Sequence, residues 1–181
     1  MRRPAAPRAD GNQCLGPDLG HQNGASTHAG PAQRAYRAAV LGGGVRARLG
    51  GTPYALSKFA VEGLSEGLSY EVAPFGIKVT IVEPGPFRTD FAGRSIRWAE
   101  PMPEYAPIFA EERERFQAQD GAQPGDPARA AAAILRAVAM DEPPLRLPLG
   151  PEAFAGIRAT LTQRLADLDE LEPWAADTGF R

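Results

Sequence analysis

The sequence predicts an α/β fold, and three observations carry the prediction. An apolar-periodic run opens at Thr52 and continues to Ala73, long enough for several helical turns. Behind it, Ile77 to Val82 is a short β-branched run bounded by Gly76 and Pro84, the pattern of a buried strand. Helix and strand patterns then alternate again: helix from Pro127 to about Met140, strand over 145–150, helix over 153–171.

At 181 residues the chain is one ordinary domain or part of one. Its average composition hides a break near residue 50. Residues 1–50 hold seven Arg, two Asp and no Lys or Glu, a net +5, which leaves −7 for the remaining 131. Arg, Ala, Gly and Pro fill 30 of those 50 positions, and Leu, Ile, Val and Phe only six. So little apolar side chain cannot offset the entropy of ordering, so residues 1–50 are expected to be an atypical segment of low order. Within it, Tyr36 to Leu41 suits a short helix or a strand, and Gly42-Gly43-Gly44 ends either.

Charge and hydropathy narrow the function classes. A net charge of −2 and a pI near 5.8 leave no electrostatic footprint for nucleic acid. No apolar run approaches a membrane span, and no signal-peptide core follows Met1-Arg2-Arg3, so neither membrane nor nucleic acid is expected as a partner. The single Cys14 excludes an internal disulfide and fits a cytoplasmic location. Cys14, His21 and His28 stand seven residues apart, without the closer pairs and fourth ligand of a zinc site, so no metal is expected. Gly42 to Ala47 formally matches G-x-G-x-x-A, but Gly50, Gly51 and Pro53 stop any helix there.

The elements after residue 50 can be justified in turn. Thr52-Pro53 reads as a helix entry, Thr as N-cap and Pro at the first helical position. Leu56, Phe59, Ala60, Val61, Leu64, Leu68 and Val72 form the apolar stripe, and Pro74-Phe75-Gly76 stops the helix. Ala60, Gly63, Ser65 and Gly67 are small and would admit a close neighbour. Tyr54 and Lys58, four apart, share one face at the start of this helix, so a cation can stand near a phenol. Taken alone, the pair suits a solvated helix surface better than a site, because such a motif needs context. The strand 77–82 leads into Pro84-Gly85-Pro86-Phe87-Arg88-Thr89, a loop at the strand's C-terminal end, where open α/β sheets bind ligands. Residues 90–110, with three prolines, read as a lid-like excursion, and Ala110 to Gln119 as a polar helix. Asp126 is the N-cap of the helix that begins at Pro127. Pro148 puts the strand at 145–150 on a sheet edge.

In this order, a Y-x-x-x-K helix, a strand and a P-G-x-x-x-T loop, the chain from about residue 51 to 181 closely resembles the C-terminal half of the short-chain dehydrogenase/reductase family. The wording Tyr54-Ala-Leu-Ser-Lys-Phe-Ala-Val-Glu-Gly63 is very near the family's own. The resemblance implies a partial doubly wound Rossmann-type parallel sheet. It also implies hydride transfer between NADP or NAD and a small carbonyl or alcohol substrate. Tyr54 would be the general acid/base. Lys58 would hold the nicotinamide ribose and lower the phenol's pKa, since an ammonium about 5 Å away at an effective dielectric near 20 is worth roughly 3 kcal/mol, or about two pKa units. Pro84, Gly85 and Phe87 would line the nicotinamide, and Thr89 would bond to the cofactor. Phe91, Ile96, Trp98 and Tyr105 would lie in the substrate lid. The helix from Tyr54 to Ala73 would serve a homo-oligomer.

Two departures stand beside the resemblance. The family places a serine about a dozen residues before its tyrosine, where this chain has Leu41, Gly42 and Gly43. The glycine turn and the residue that selects NAD or NADP have no counterpart, and a βαβ unit needs about 30 residues or more. The abrupt change of composition suggests that residues 1–50 are largely out-of-frame translation. The alternative to an impaired enzyme is a catalytically dead, truncated fragment acting as an interaction or oligomerisation module.

Overall fold

In the computed structural model the described residues are 35–39, by their backbone, 44–93 and 95–180. The expectations on Cys14, His21, His28 and Leu41 to Gly43 fall outside them. Three strands form one parallel sheet in the order β1 (Ala35–Ala39), β2 (Lys78–Pro84), β3 (Arg146–Leu149). β1 pairs with β2 from Ala35 opposite Lys78 to Ala39 opposite Val82. β2 pairs with β3 from Ile81 opposite Arg146 to Pro84 opposite Leu149. Parallel neighbours need crossovers. α1 (Thr52–Val72) makes the first; α2 (Ala106–Gln117) and α3 (Pro127–Val138) lie in the second, and α4 (Pro151–Ala175) follows β3.

β1 resolves the stretch left open between helix and strand, and it lies inside the segment expected to be of low order. Its sequence, Ala-Tyr-Arg-Ala-Ala, has no strand pattern of its own. Pairing with β2 makes it a strand.

α1 starts one residue earlier than the capping pattern implies. Gly51 is the N-cap, without a side-chain hydrogen bond, and its carbonyl accepts from the Ala55 N–H at 2.8 Å. Thr52 and Pro53 are the first two helical residues. Pro74 then Gly76, left-handed at φ 68°, end the helical run, and the Gly76 N–H donates to the Ala73 carbonyl. α3 begins as its sequence indicates, with the Asp126 carboxylate accepting from the Ala128 N–H at 2.8 Å.

β2 is the centre of the described sheet and is buried from Val79 to Glu83. Val79, Ile81 and Val82 make the core with Ala55 of α1, Ala137 of α3, Leu149 of β3 and Ala153 of α4. Thr80 is buried with its hydroxyl donating to the Pro144 carbonyl at 2.9 Å. α1 packs on β2 through residues that are partly polar: Glu62 and Ser65 are buried on the helix, and Glu83 on the strand. Arg146 of β3 reaches this layer and donates to Glu62 and to Glu66, each at 2.6 Å.

Candidate active site

The first turn of α1 sets Tyr54 and the second sets Lys58. The Lys58 ammonium stands 5.5 Å from the centroid of the Tyr54 ring. The Phe91 ring packs on Tyr54 from the loop after β2, 5.7 Å between centroids at 51°. The Tyr54 hydroxyl is buried and has no hydrogen-bond partner among the described residues. An unpartnered buried hydroxyl is costly, which makes this atom a candidate for a ligand's polar group.

Electrostatics here run opposite to the sequence-based expectation. Burial pushes the Tyr54 phenol above its ordinary value of 10, and no lowering by Lys58 opposes it. The reason is geometric. The ammonium lies over the ring and makes no hydrogen bond to the hydroxyl, so desolvation of the phenolate dominates. Ser57, between the pair, is exposed and donates to the Tyr54 carbonyl at 2.7 Å, a local helix contact.

Pro84 ends β2, and the Gly85 N–H donates to the Leu149 carbonyl at 2.9 Å, tying the loop to β3. A Cβ on Gly85 would stand 3.2 Å from the Ala153 amide nitrogen and 3.3 Å from the Leu149 oxygen, so the backbones approach where only glycine sits easily. Phe87 bridges to Gly125: the Gly125 N–H donates to Pro86 O at 3.1 Å and the Arg88 N–H to Gly125 O at 2.9 Å. A Cβ on Gly125 would land 2.6 Å from the Phe87 ring. A small cavity of about 100 Å³ opens here, lined by Gly85, Phe87, Gly125, Gly150 and Glu152 among others. Thr89 is exposed and its hydroxyl accepts from the Phe91 N–H at 3.4 Å.

The structure thus brings Tyr54, Lys58 and Phe91 together, and separately gathers Gly85 and Phe87 around a cavity that Tyr54 does not line. Thr89, two residues before Phe91, stands in the chain between the two groups. Of the lid residues, Trp98 joins a run of rings, 5.7 Å from Phe116, which is 6.3 Å from Phe91. Arg113 lies over the Trp98 ring at 5.4 Å. Tyr105 is the exposed N-cap of α2 and Ile96 is half-buried; neither ring nor side chain joins that series. Phe116 was missed by reading α2 as merely polar; its spacing of seven from Phe109 on the same helix was the available signal. Among the described residues no cluster of His, Cys, Asp and Glu could hold a metal, and no helix is long and apolar enough to cross a membrane.

Comparison with known proteins bears on this arrangement. Residues 42–100 match the family model described as short chain dehydrogenase. Oxidoreductase BOA17 of Botryotinia fuckeliana is 37% identical over 123 residues, which cover 67% of this chain and 44% of that protein. A 3-ketodihydrosphingosine reductase of Bacteroides thetaiotaomicron is 41% identical over 100 residues, 54% of this chain and 37% of the other. The crystal structure of a short-chain dehydrogenase from Streptomyces avermitilis superposes with a TM-score of 0.69 at 41% identity, covering 81% of this chain and 52% of that one. The chain therefore spans about half or less of the length of these relatives. Through this C-terminal portion, with its parallel sheet and Tyr54–Lys58 helix, the chain belongs to the short-chain dehydrogenase/reductase family of oxidoreductases.

Proposed function

We propose that this chain carries the proton-transfer half of a nicotinamide-dependent carbonyl/alcohol oxidoreductase site. The observation that carries the proposal is the buried, unpartnered Tyr54 hydroxyl with Lys58 above its ring. Members of the family use NAD or NADP, and the residues present fit the nicotinamide end of such a cofactor. Tyr54 offers an unused donor, and the loop from Pro84 stands at the C-terminal end of β2, the edge where open α/β sheets bind ligands. When bound, the nicotinamide supplies or accepts the hydride at the substrate carbon.

The remaining roles fall to this chain's own side chains. Tyr54 donates its proton to the carbonyl oxygen in reduction and takes it back in oxidation. Because burial keeps the phenol protonated in the free protein, the resting chain is poised as the acid. Lys58 would hold the ribose hydroxyls of the cofactor, which would draw its ammonium from the ring face towards the phenol oxygen. The backbone of Pro84, Gly85 and Phe87 would line the nicotinamide, and the exposed Thr89 hydroxyl would bond to the cofactor. Phe91, with Phe116 and Trp98 behind it, excludes water from the Tyr54 side. With Leu41 to Gly43 where the family places its serine, Tyr54 is the donor that the described residues offer to the substrate oxygen, and turnover is expected to be slow.

The test is direct. NADPH and NADH are titrated onto the purified chain by their fluorescence, and turnover is assayed with a panel of small ketones. Saturable binding that Lys58→Ala weakens, with turnover that Tyr54→Phe abolishes, supports the reading; no binding of either nucleotide overturns it.

A second reading is favoured by α1's outer face. A Cβ on Gly63 or Gly67 would meet nothing within 4 Å, and Leu56, Leu64 and Tyr70 are exposed. Small residues beside exposed apolar ones suit close packing against a second copy through Tyr54 to Ala73. Light scattering on the purified chain, with Gly63→Glu as the disrupting variant, decides this independently of cofactor binding.

A further inference from the structure

Glu62, Glu66, Glu83 and Arg146 have no part in the proton transfer, yet Glu62 and Glu83 are buried carboxyls, and the partly exposed Arg146 and Glu66 close over Glu62. Glu62 is 8% exposed and Glu83 only 2%. Glu62 lies one turn beyond Lys58 and Glu66 one turn further, so Tyr54, Lys58, Glu62 and Glu66 occupy successive i+4 positions of α1. Arg146 spends its fork on two separate carboxylates, Nε on Glu62 Oε1 and Nη2 on Glu66 Oε2. Glu83 immediately precedes Pro84 and Gly85 at the mouth of the candidate site.

The charges in this layer do not balance if every carboxyl is ionised. Three carboxylates would face one guanidinium, and no other cation is paired with Glu62, Glu66 or Glu83 among the described residues. Glu62 Oε2 and Glu83 Oε1 are both buried without a partner. A proton on Glu83 removes the excess charge and turns its carboxyl into a donor among acceptors. Burial first, then the neighbouring Glu62, favour that proton, against the pull of Arg146. Glu66 also accepts from the Tyr70 hydroxyl at 3.3 Å, so that side of the layer is occupied.

We infer that Arg146, gripping Glu62 and Glu66 beside the buried Glu83, is a positioning residue that sets the rotation of α1 and so the placement of Tyr54 and Lys58. The inference rests on the reading of Tyr54 and Lys58 proposed above. The pair to Glu66 is partly exposed and adds little, whereas Glu62 is buried and would be stranded without its guanidinium, so the contact to Glu62 holds the helix in place. Here the pair joins two elements, the helix with the acid and the lysine and the strand β3, whose backbone pairs with the strand feeding the loop. A lysine at 146 would bring a point charge able to satisfy one carboxylate well, not a rigid fork spanning two.

The experiment uses the full chain with Arg146→Lys, Arg146→Met and Glu83→Gln, each also combined with Tyr54→Phe. The first readout needs no cofactor: the absorbance step of Tyr54 at alkaline pH, taken as the difference between each variant and its Tyr54→Phe partner. The second is the NADPH dissociation constant by fluorescence. Arg146→Lys is expected to keep the fold but move the Tyr54 step and weaken NADPH about tenfold, within the usual range of energetic coupling. Glu83→Gln, which mimics the neutral carboxyl, is expected to leave the Tyr54 step in place. If Arg146→Met does not fold, Arg146→Lys carries the same test. An unmoved Tyr54 step in Arg146→Lys, or a Glu83→Gln variant as disturbed as Arg146→Met, overturns the inference. Failure of the wild-type chain to bind NADPH would sink the cofactor reading while the Tyr54 step still decides the clamp.

Discussion

Lys58 sits with its ammonium 5.5 Å from the centroid of the Tyr54 ring, over the aromatic face, while the hydroxyl of the same ring is buried and unpartnered. The two residues are therefore neighbours without being a hydrogen-bonded pair. Burial governs the phenol and raises its pKa. In the free chain, the absorbance difference near 295 nm between wild type and Tyr54→Phe is expected only above pH 10, the ordinary value. Saturating NADPH is expected to bring that difference down in pH as Lys58 is drawn to the oxygen. A wild-type difference already present at neutral pH without cofactor would contradict the burial argument.

Gly85 supplies a second prediction. Its Cβ position is bounded by the Ala153 amide and the Leu149 carbonyl, both backbone atoms that yield little. Gly85→Ala is expected to lower stability by about 1–3 kcal/mol, the usual range for overpacking, seen as a lower urea midpoint at unchanged slope. The same variant is expected to weaken NADPH, because the loop must shift away from β3.

The Glu66 and Glu83 carboxyls move in opposite directions, which shapes the pH dependence of stability. The Arg146 hydrogen bond holds Glu66 below the usual carboxylate range. Its contribution is present above pH 4.5 and lost as pH falls through its lowered value. Burial raises Glu83, so its contribution is complete below 4.5 and lost as pH climbs through its raised value. Melting temperature against pH is expected to peak on the mildly acidic side. Glu83→Gln is expected to flatten the fall towards higher pH and leave the acid limb as it was. A Glu83→Gln curve that keeps the alkaline fall would show that another group causes it.

The ring series Tyr54, Phe91, Phe116 and Trp98 links α2 to the start of α1. Phe116→Ala is expected to cost on the order of 1 kcal/mol per lost ring contact. It is also expected to raise hydrogen exchange across 91–98 more than across β2. In a turnover assay the Michaelis constant for the ketone should rise while NADPH affinity holds, since the rings that meet Phe116 are Phe91 and Trp98, neither of them proposed to line the cofactor.

Much of this was legible in the sequence where local chemistry decides local structure. The α1 helix, the β-branched β2, the loop from Pro84 to Thr89 and the Asp126 cap were each written in a few consecutive residues. β1 was not, because Ala35 to Ala39 is a strand only by its partner's edge. The Thr52 cap was displaced by one residue because Gly51 could take the N-cap without a side chain. The opposing shift at Tyr54 was hidden because spacing places Lys58 on the right face but does not say which part of the ring it meets. Arg146 was invisible for another reason: it stands 84 residues from Glu62 and 80 from Glu66, and no local pattern relates them.

The stripe of Tyr54, Lys58, Glu62 and Glu66 has one more geometric consequence. Each step of four residues overshoots a full turn of 3.6 by roughly 40°, so from Tyr54 to Glu66 the stripe winds about 120° around α1. The two ends of one apparently straight row thus face different neighbours. The first turn looks towards the Phe91 loop, and the fourth towards Arg146 on β3. A single helix can in this way present its chemistry to one wall and its anchorage to another.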